Sequence, residues 1–246
     1  MLRTRVVIFL ITAAAAMLVS CPAPHPPPVE TPLLCYSLFD TLGAFEAVDI
    51  MTQFGIEREV RVMVIRFLCE PVHKAFNEDD LPEAPPDLLP LTGYIIDSVS
   101  SPGKTVVLKD QFTTDTFQVK TPMYLWDPVT SKIHTSPRSG RVYPNPLKVF
   151  EITGESLDEA VTLFTRDQFG KQSFQIQEAV FLAEPAVKSA KGTLPAGQKP
   201  LKCYQVAGGR SVKVFNVQVT DQFSTYRLNI EQPVLFCDPC AKTVVK

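Results

Sequence analysis

The sequence is poor in the residues that carry common catalytic and metal-binding motifs. Its 246 residues include only three histidines, His25, His73 and His134, which share no spacing. It contains no Ser/His/Asp arrangement, no glycine-rich phosphate loop and no metalloprotease helix motif, so no common enzyme class is indicated. Catalytic groups can come from distant parts of a chain, so an enzyme stays an alternative. We predict no catalytic, cofactor-binding or metal-binding residue.

Two further absences concern partners and membranes. Lys and Arg number 24 against 26 Asp and Glu, without a basic stripe, which disfavours a nucleic-acid partner. Only the N-terminal run 6–20 is long and apolar, and it is too short to span a bilayer. Because Arg3 and Arg5 precede it, this run is typical of a signal peptide, predicted over residues 1–20.

The end of the run, Leu18-Val19-Ser20-Cys21, resembles the signal of bacterial lipoproteins. The resemblance implies that Cys21 is lipidated and anchors the chain to a membrane of the cell envelope, at the outer membrane or cell surface. Two acyl chains suffice for stable anchoring. The alternative is an ordinary secretory signal cleaved near the alanine run 13–16. Residues 21–32 contain six prolines and predict an extended tether.

The dipeptide Gln-Phe occurs four times, at spacings of 58, 57 and 54 residues, and marks a repeat. Each copy has an aromatic residue upstream and a late proline 16 or 17 residues after the Phe. In copies one to four, the Gln-Phe pairs are 53–54, 111–112, 168–169 and 222–223, the aromatics are Tyr36, Tyr94, Phe150 and Tyr204, and the late prolines are Pro71, Pro128, Pro185 and Pro239.

Apolar and polar residues alternate on both sides of each Gln-Phe pair, which predicts a β-hairpin in every copy. In copy one the second strand is displaced by one residue, which indicates a longer turn or a bulge. The predicted fold class is all-β, with four tandem repeats of about three antiparallel strands each, packed as sandwich- or barrel-like units. The repeats are 33–74, 91–129, 147–188 and 201–246, joined by an acidic Pro-rich linker 75–90 and by linkers 130–146 and 189–200.

Cysteines occur in copies one and four at matching positions. Cys35 and Cys69 are 34 residues apart, as are Cys203 and Cys237, and copies two and three lack both. This joint presence predicts two disulfides, each stabilising the fold by roughly 3–4 kcal/mol in the chain-entropy model. The alternative is two unrelated buried thiols per copy. In copy two, Gly93 and Trp126 occupy the two cysteine positions, and the large ring is expected to fill the space.

Cys240 follows Cys237 in a Cys-x-x-Cys arrangement, a spacing that also serves redox and metal sites. Since Cys237 already has a candidate partner, we predict that Cys240 is a free thiol or pairs between chains. A thiol-redox factor that uses Cys237 and Cys240 stays the alternative.

An acidic residue precedes three Gln-Phe pairs: Asp110, Asp167 and Asp221. We interpret these as turn residues that accept hydrogen bonds from their own backbone, because Thr52 can replace Asp in copy one. The alternative is metal binding. The four Phe side chains are expected to be largely buried, each in the core of its own repeat.

Copy four, with Cys203-Tyr204, Asp221-Gln222-Phe223 and Leu235-x-Cys237-x-Pro239, resembles an uncharacterised bacterial family of secreted repeats. The resemblance covers most of the chain after the signal. It implies export and β structure and supplies no activity. The sequence thus favours a non-enzymatic envelope lipoprotein with a binding or structural role and a protein or glycan partner. A surface-anchored enzyme is the alternative.

Overall fold

The computed structural model describes residues 30–39, 42–155, 157–194 and 196–245. Within these ranges the chain is all-β, as predicted, with one 3-10 turn at Glu78–Asp80. No helix of the described part has the length and apolar character to cross a membrane. The strands are Leu33–Leu38 (β1), Gly43–Thr52 (β2), Gly55–Pro71 (β3), His73–Ala75 (β4), Leu91–Asp97 (β5), Thr105–Lys109 (β6), Thr114–Pro128 (β7), Ser131–Ile133 (β8), Pro137–Arg138 (β9), Leu147–Gly154 (β10), Val161–Asp167 (β11), Gly170–Pro185 (β12), Leu201–Ala207 (β13), Val214–Thr220 (β14), Thr225–Pro239 (β15) and Ala241–Val244 (β16).

Each sequence copy supplies a first strand and then a hairpin with a Gln-Phe pair at its turn. The late proline is the last residue of each long hairpin strand, since proline has no N–H to continue the ladder. In copy one a register shift between Val48 and Ile50 shows the predicted irregularity as a bulge. The first strands are β1, β5, β10 and β13, and the hairpins are β2–β3, β6–β7, β11–β12 and β14–β15.

Eight of these strands pair in a cycle. Each long hairpin strand pairs with the first strand of its own copy on one side and of a neighbouring copy on the other. Starting from β1, the antiparallel order is β3, β5, β7, β10, β12, β13, β15 and again β1. We call these eight strands the ring. Its closure joins copy one directly to copy four.

Side chains alternate between the two faces of a strand, and both faces of the ring are apolar. One buried cluster takes residues from all eight ring strands. Because residues from all eight strands can meet only within the ring, this cluster fills its interior. A second cluster joins the aromatic column to apolar residues of β2, β6, β11 and β14. The hairpins therefore cover the outer face of the ring.

The four paired cysteines lie inside the ring. Cys35 faces Cys69 across β1 and β3, and Cys203 faces Cys237 across β13 and β15. Both pairs are at disulfide distance, with Cα atoms 3.9 and 4.0 Å apart. This is the pairing that the equal spacing predicts.

Copies two and three have other side chains at the positions of the paired cysteines. Gly93 faces Trp126, and a Cβ added at residue 93 would lie 3.0 Å from the indole. The indole therefore occupies the space in front of the glycine, as the sequence predicts. In copy three, Val149 faces Ala183.

Candidate binding pocket and the buried ion pairs

Inward-facing residues form three layers, each with one residue from every ring strand. The period of two along a strand places them at positions two residues apart. The deepest layer pairs four leucines with the late prolines, and the middle layer contains the paired cysteines. The third layer, which we call the mouth, consists of the cross-strand pairs Ser37–Phe67, Ile95–Tyr124, Glu151–Phe181 and Gln205–Leu235.

The leucine end of the ring is closed by linker residues. Leu88 and Tyr143, from the linkers 75–90 and 130–146, pack into the interior cluster. The two linkers are joined there, since the N–H of Leu89 donates to the carbonyl of Arg141 at 2.7 Å. Glu30, which precedes β1, lies at this same end. The mouth is at the opposite end.

A cavity of about 470 Å³ lies at the mouth, on the side of copies three and four. Its walls come from five ring strands, and they combine aromatic, aliphatic and amide side chains. This mixture of an apolar surface with a few polar groups is typical of ligand sites. The residues that carry the argument below are Phe67, Glu151, Phe181, Gln205, Val234 and Leu235. We call this cavity the mouth pocket.

Aromatic contacts connect the mouth residues. Tyr124 lies between two phenylalanines, with ring centroids 5.0 Å from Phe67 and 5.5 Å from Phe181, both in edge-to-face geometry. Such pairs contribute about 0.5–1.5 kcal/mol beyond burial. The three rings are only partly buried. They therefore keep surface that a ligand can contact.

Four ion pairs surround the ring, each with a buried carboxylate and a lysine that is buried or partly buried. In each copy the acid directly precedes the late proline and the lysine follows that proline by three or four residues. Every lysine pairs with the acid of the preceding copy, and the lysine of copy one pairs with the acid of copy four. The ion pairs therefore form a closed cycle, as the ring strands do. The pairs are Lys132–Glu70, Lys188–Asp127, Lys242–Glu184 and Lys74–Asp238.

These lysines are placed by short segments that cross to another copy. The segment after each late proline pairs with the hairpin two copies away: β4 with β11, β8 with β14, β16 with β6, and Val187 with Met51. Each ammonium group also lies over the Phe of a Gln-Phe pair. The nitrogen-to-centroid distances are 4.5 Å for Lys132–Phe169, 4.8 Å for Lys242–Phe54, 5.2 Å for Lys188–Phe223 and 5.6 Å for Lys74–Phe112.

The phenylalanines of the four Gln-Phe pairs do not lie where the sequence predicts. Each Phe is only partly buried and packs edge-to-face on the aromatic column of the copy two places away, so it does not lie in the core of its own repeat alone. The hairpins bend over the ring, which brings their turns to the opposite copy. The centroid distances are 5.3 Å for Phe169–Tyr36, 5.2 Å for Phe54–Phe150, 5.2 Å for Phe223–Tyr94 and 5.6 Å for Phe112–Tyr204.

The turn acids have the predicted role. One oxygen of Asp167 accepts the N–H of Phe169 at 2.7 Å, and Thr52 accepts the N–H of Phe54 at 3.2 Å. The second oxygen of each Asp accepts a tyrosine hydroxyl from two copies away, which sequence reasoning missed. These tyrosine–aspartate pairs are Tyr36–Asp167, Tyr94–Asp221 and Tyr204–Asp110.

The fourth position breaks this pattern in both partners. Copy three has Phe150 without a hydroxyl, and its opposite turn has Thr52 without a carboxylate. A small cavity of about 160 Å³ remains between them. Lys148 lines it and forms a partly buried ion pair with Glu57. A tyrosine hydroxyl or a turn carboxylate alone at this position would lack the partner that it has in the other three.

Burial perturbs the ionisable groups around Lys132. Burial, with the nearby Glu70 carboxylate, raises the pKa of Asp167 to about 7. Burial also lowers the pKa of Lys132, although Glu70 opposes this shift. Both effects are expected where charges are withdrawn from water. Because equivalent charged residues recur in the other copies, we attribute these buried groups to packing between copies.

Cys240 is a free and buried thiol. It is 2% exposed, and burial raises the pKa of its thiol to about 12. Its neighbour in the Cys-x-x-Cys arrangement, Cys237, is paired with Cys203. A buried thiol with a raised pKa is a poor nucleophile, and pairing between chains would require its exposure.

The remaining predictions concern the N-terminal signal and metal binding. The signal peptide and Cys21 lie outside the described residues. Within the described ranges, no group of His, Cys, Asp and Glu is arranged to hold a metal ion. The pocket residues were not predicted, because the mouth positions of the first strands, Ser37, Ile95, Glu151 and Gln205, share no chemistry that would mark them in sequence.

No protein-family model, curated protein or solved structure matches this chain. The resemblance to a secreted bacterial repeat family therefore stays a prediction.

Proposed function

We propose that this protein is an exported, lipid-anchored binding protein of the bacterial cell envelope. In this proposal the four copies are equivalent β units around the ring, and the mouth pocket is the binding site. A pocket of this volume accepts a small molecule or a single group presented by a larger partner, such as a protein side chain or a sugar. No catalytic step is assigned to it.

The mouth pocket is the observation that carries the proposal. It is a concave site with an apolar wall of Phe67, Phe181 and Leu235 and an amide at Gln205. The paired cysteines and Trp126 lie one layer beneath it. A floor fixed by cross-links and a large ring favours a pocket formed before the ligand binds, which lowers the entropic cost of binding.

The position of the chain entry supports the anchoring part. Glu30 lies at the closed end of the ring, and the pocket opens at the other end. A lipid on Cys21, attached through a Pro-rich tether, would hold the closed end toward the membrane. The pocket would then face away from the lipid surface, where a ligand can enter.

The alternative, a surface enzyme or a thiol-redox factor, has less support. Cys237 is paired with Cys203, and Cys240 is buried with a raised pKa. A dithiol site needs an accessible thiolate. The buried charges recur around the ring and pack against aromatic rings, which is typical of structural pairs.

We expect the wild-type protein, expressed in a lipoprotein-processing bacterium, to partition with membranes and into detergent. A Cys21→Ser variant should be exported yet recovered in the soluble fraction, because it lacks the acyl chains. Export is checked by protease accessibility of the folded part. Equal membrane retention of an exported Cys21→Ser protein would refute the anchor.

We expect the mouth pocket to bind the neutral fluorescent probe N-phenyl-1-naphthylamine with enhanced emission. Gln205→Trp should reduce the enhancement at least fivefold, because an indole at this wall fills the cavity. Gln111→Trp is the matched control, since Gln111 is exposed and does not line the pocket. Thermal melts verify that both variants fold. Equal enhancement by the two folded variants would contradict the assignment.

A further inference from the structure

We infer that the mouth pocket is selective for organic cations, with the cationic group held between the Glu151 carboxylate and the Phe181 ring. The ligand class is a small amphiphilic ammonium compound with one positive charge and an apolar body. This inference rests on the proposed function, because it specifies the ligand of the same pocket.

The charge of the pocket is the first observation. Among the described residues that line it, Glu151 is the only charged one, and no Lys or Arg is present. Glu151 is exposed and makes no ion pair within the described part of the chain. Its carboxylate is therefore available to a ligand. An anionic ligand would meet a negative charge without a compensating cation.

The pairing of Glu151 with Phe181 is the second observation. The two residues are direct cross-strand neighbours on β10 and β12, and such neighbours have Cβ atoms about 4.5–5.5 Å apart. A carboxylate beside an aromatic ring attracts an ammonium group twice, through its charge and through the ring quadrupole. Phe181 also packs edge-to-face on Tyr124, with ring centroids 5.5 Å apart, and this contact holds its ring in place.

The rest of the wall fits the apolar body of such a ligand. Val180 on β12 supplies aliphatic surface, as do Val234 and Leu235 on β15. The amide side chain of Gln205 lies at the same level as Glu151 in the mouth layer and offers a hydrogen bond to a hydroxyl or carbonyl group. This combination favours an amphiphile over a small hydrated metal cation.

Two basic residues near the mouth have to be considered. Arg210 follows the pocket-lining Gly209, but it is exposed and lines a different cavity, with Phe169 and Lys171. The positive charge of Arg66 acts on the Tyr124 phenol and opposes the rise of its pKa that burial causes. Neither Arg66 nor Tyr124 lines the pocket. Arg66 therefore disfavours a cation on the Tyr124 side of the mouth, and the cationic group is assigned to the Glu151–Phe181 wall.

The test uses three probes of similar size and different charge: benzyltrimethylammonium, benzyl alcohol and benzenesulfonate. Each is titrated by displacement of N-phenyl-1-naphthylamine and by direct NMR shift mapping. Benzyltrimethylammonium should bind at least about fivefold more tightly than benzenesulfonate. Glu151→Gln should weaken benzyltrimethylammonium about fivefold to tenfold, as loss of the ion–carboxylate attraction implies. Benzyl alcohol should change less than twofold.

Glu155→Gln is the matched control, because Glu155 is exposed just beyond β10 and does not line the pocket. Phe181→Leu keeps an apolar wall and should weaken the cation more than benzyl alcohol. If the neutral probes bind but the cation has no advantage, or if Glu151→Gln matches Glu155→Gln, cation selectivity is overturned and the pocket stands. If no probe binds folded wild-type protein, the proposed function fails as well.

Discussion

Replacing Lys132 by Met is expected to lower the free energy of unfolding by about 3–4 kcal/mol. Lys132 and Glu70 are both fully buried, so the substitution leaves a carboxylate without its ammonium partner. It also removes the cation that lies 4.5 Å from the Phe169 ring. Arg138, 3.9 Å from Glu70, keeps the cost below the top of the usual range. Urea unfolding at pH 7.5 measures the change.

Two further variants separate the charge effect from side-chain packing. Lys171→Met removes the cation of an exposed pair with Glu78 and should cost less than about 1 kcal/mol. Glu70→Gln added to Lys132→Met removes the orphaned charge and should recover part of the loss. A Lys132→Met protein that unfolds like wild type would show that the pair does not join the copies.

Rebuilding the missing tyrosine–aspartate pair should restore stability that each single change removes. Phe150→Tyr buries a hydroxyl without a partner and should cost about 1–3 kcal/mol. Thr52→Asp places a carboxylate near Glu57, which is also unfavourable. The double variant should be more stable than the sum of the singles predicts, by about 1.5–3 kcal/mol. A thermodynamic cycle from denaturant unfolding gives this coupling.

The contact between Tyr204 of copy four and the turn of copy two is the model for this experiment. There Tyr204 donates to Asp110 while Lys202 is paired with Asp115, as Lys148 is paired with Glu57. Thr52→Asn with Phe150→Tyr is the control, because Asn keeps an acceptor for the hydroxyl without adding a charge. Strictly additive effects in the Thr52→Asp cycle would mean that the two side chains do not meet.

Features within one copy were readable from the sequence. The hairpins follow from alternation around the Gln-Phe pairs, and the cysteine pairing follows from their joint presence. The turn role of Asp110 and its equivalents follows from the side-chain chemistry of Asp and Thr. These features depend on residues close in sequence or on differences between copies in the same column.

Contacts between copies were not readable in the same way. A column of tyrosines and a column of aspartates define residue types, but they do not state that Tyr36 meets Asp167, which is 131 residues away. One signal was present, since Phe150 and Thr52 depart from their columns two copies apart. The mouth pocket needed the ring itself, because only its closure turns the scattered residues Glu151 and Gln205 into neighbours of one cavity.

Closure of the ring also constrains how the chain assembles. One edge of β1 is paired only when β15 is present. This edge therefore stays unpaired until copy four has been made. Contacts between such distant segments slow folding, because the loop between them loses much conformational freedom. Until then β1 is an open edge that another chain could pair with. Aggregation risk is therefore greatest for chains that are still incomplete, and completing copy four removes the last open edge of the ring.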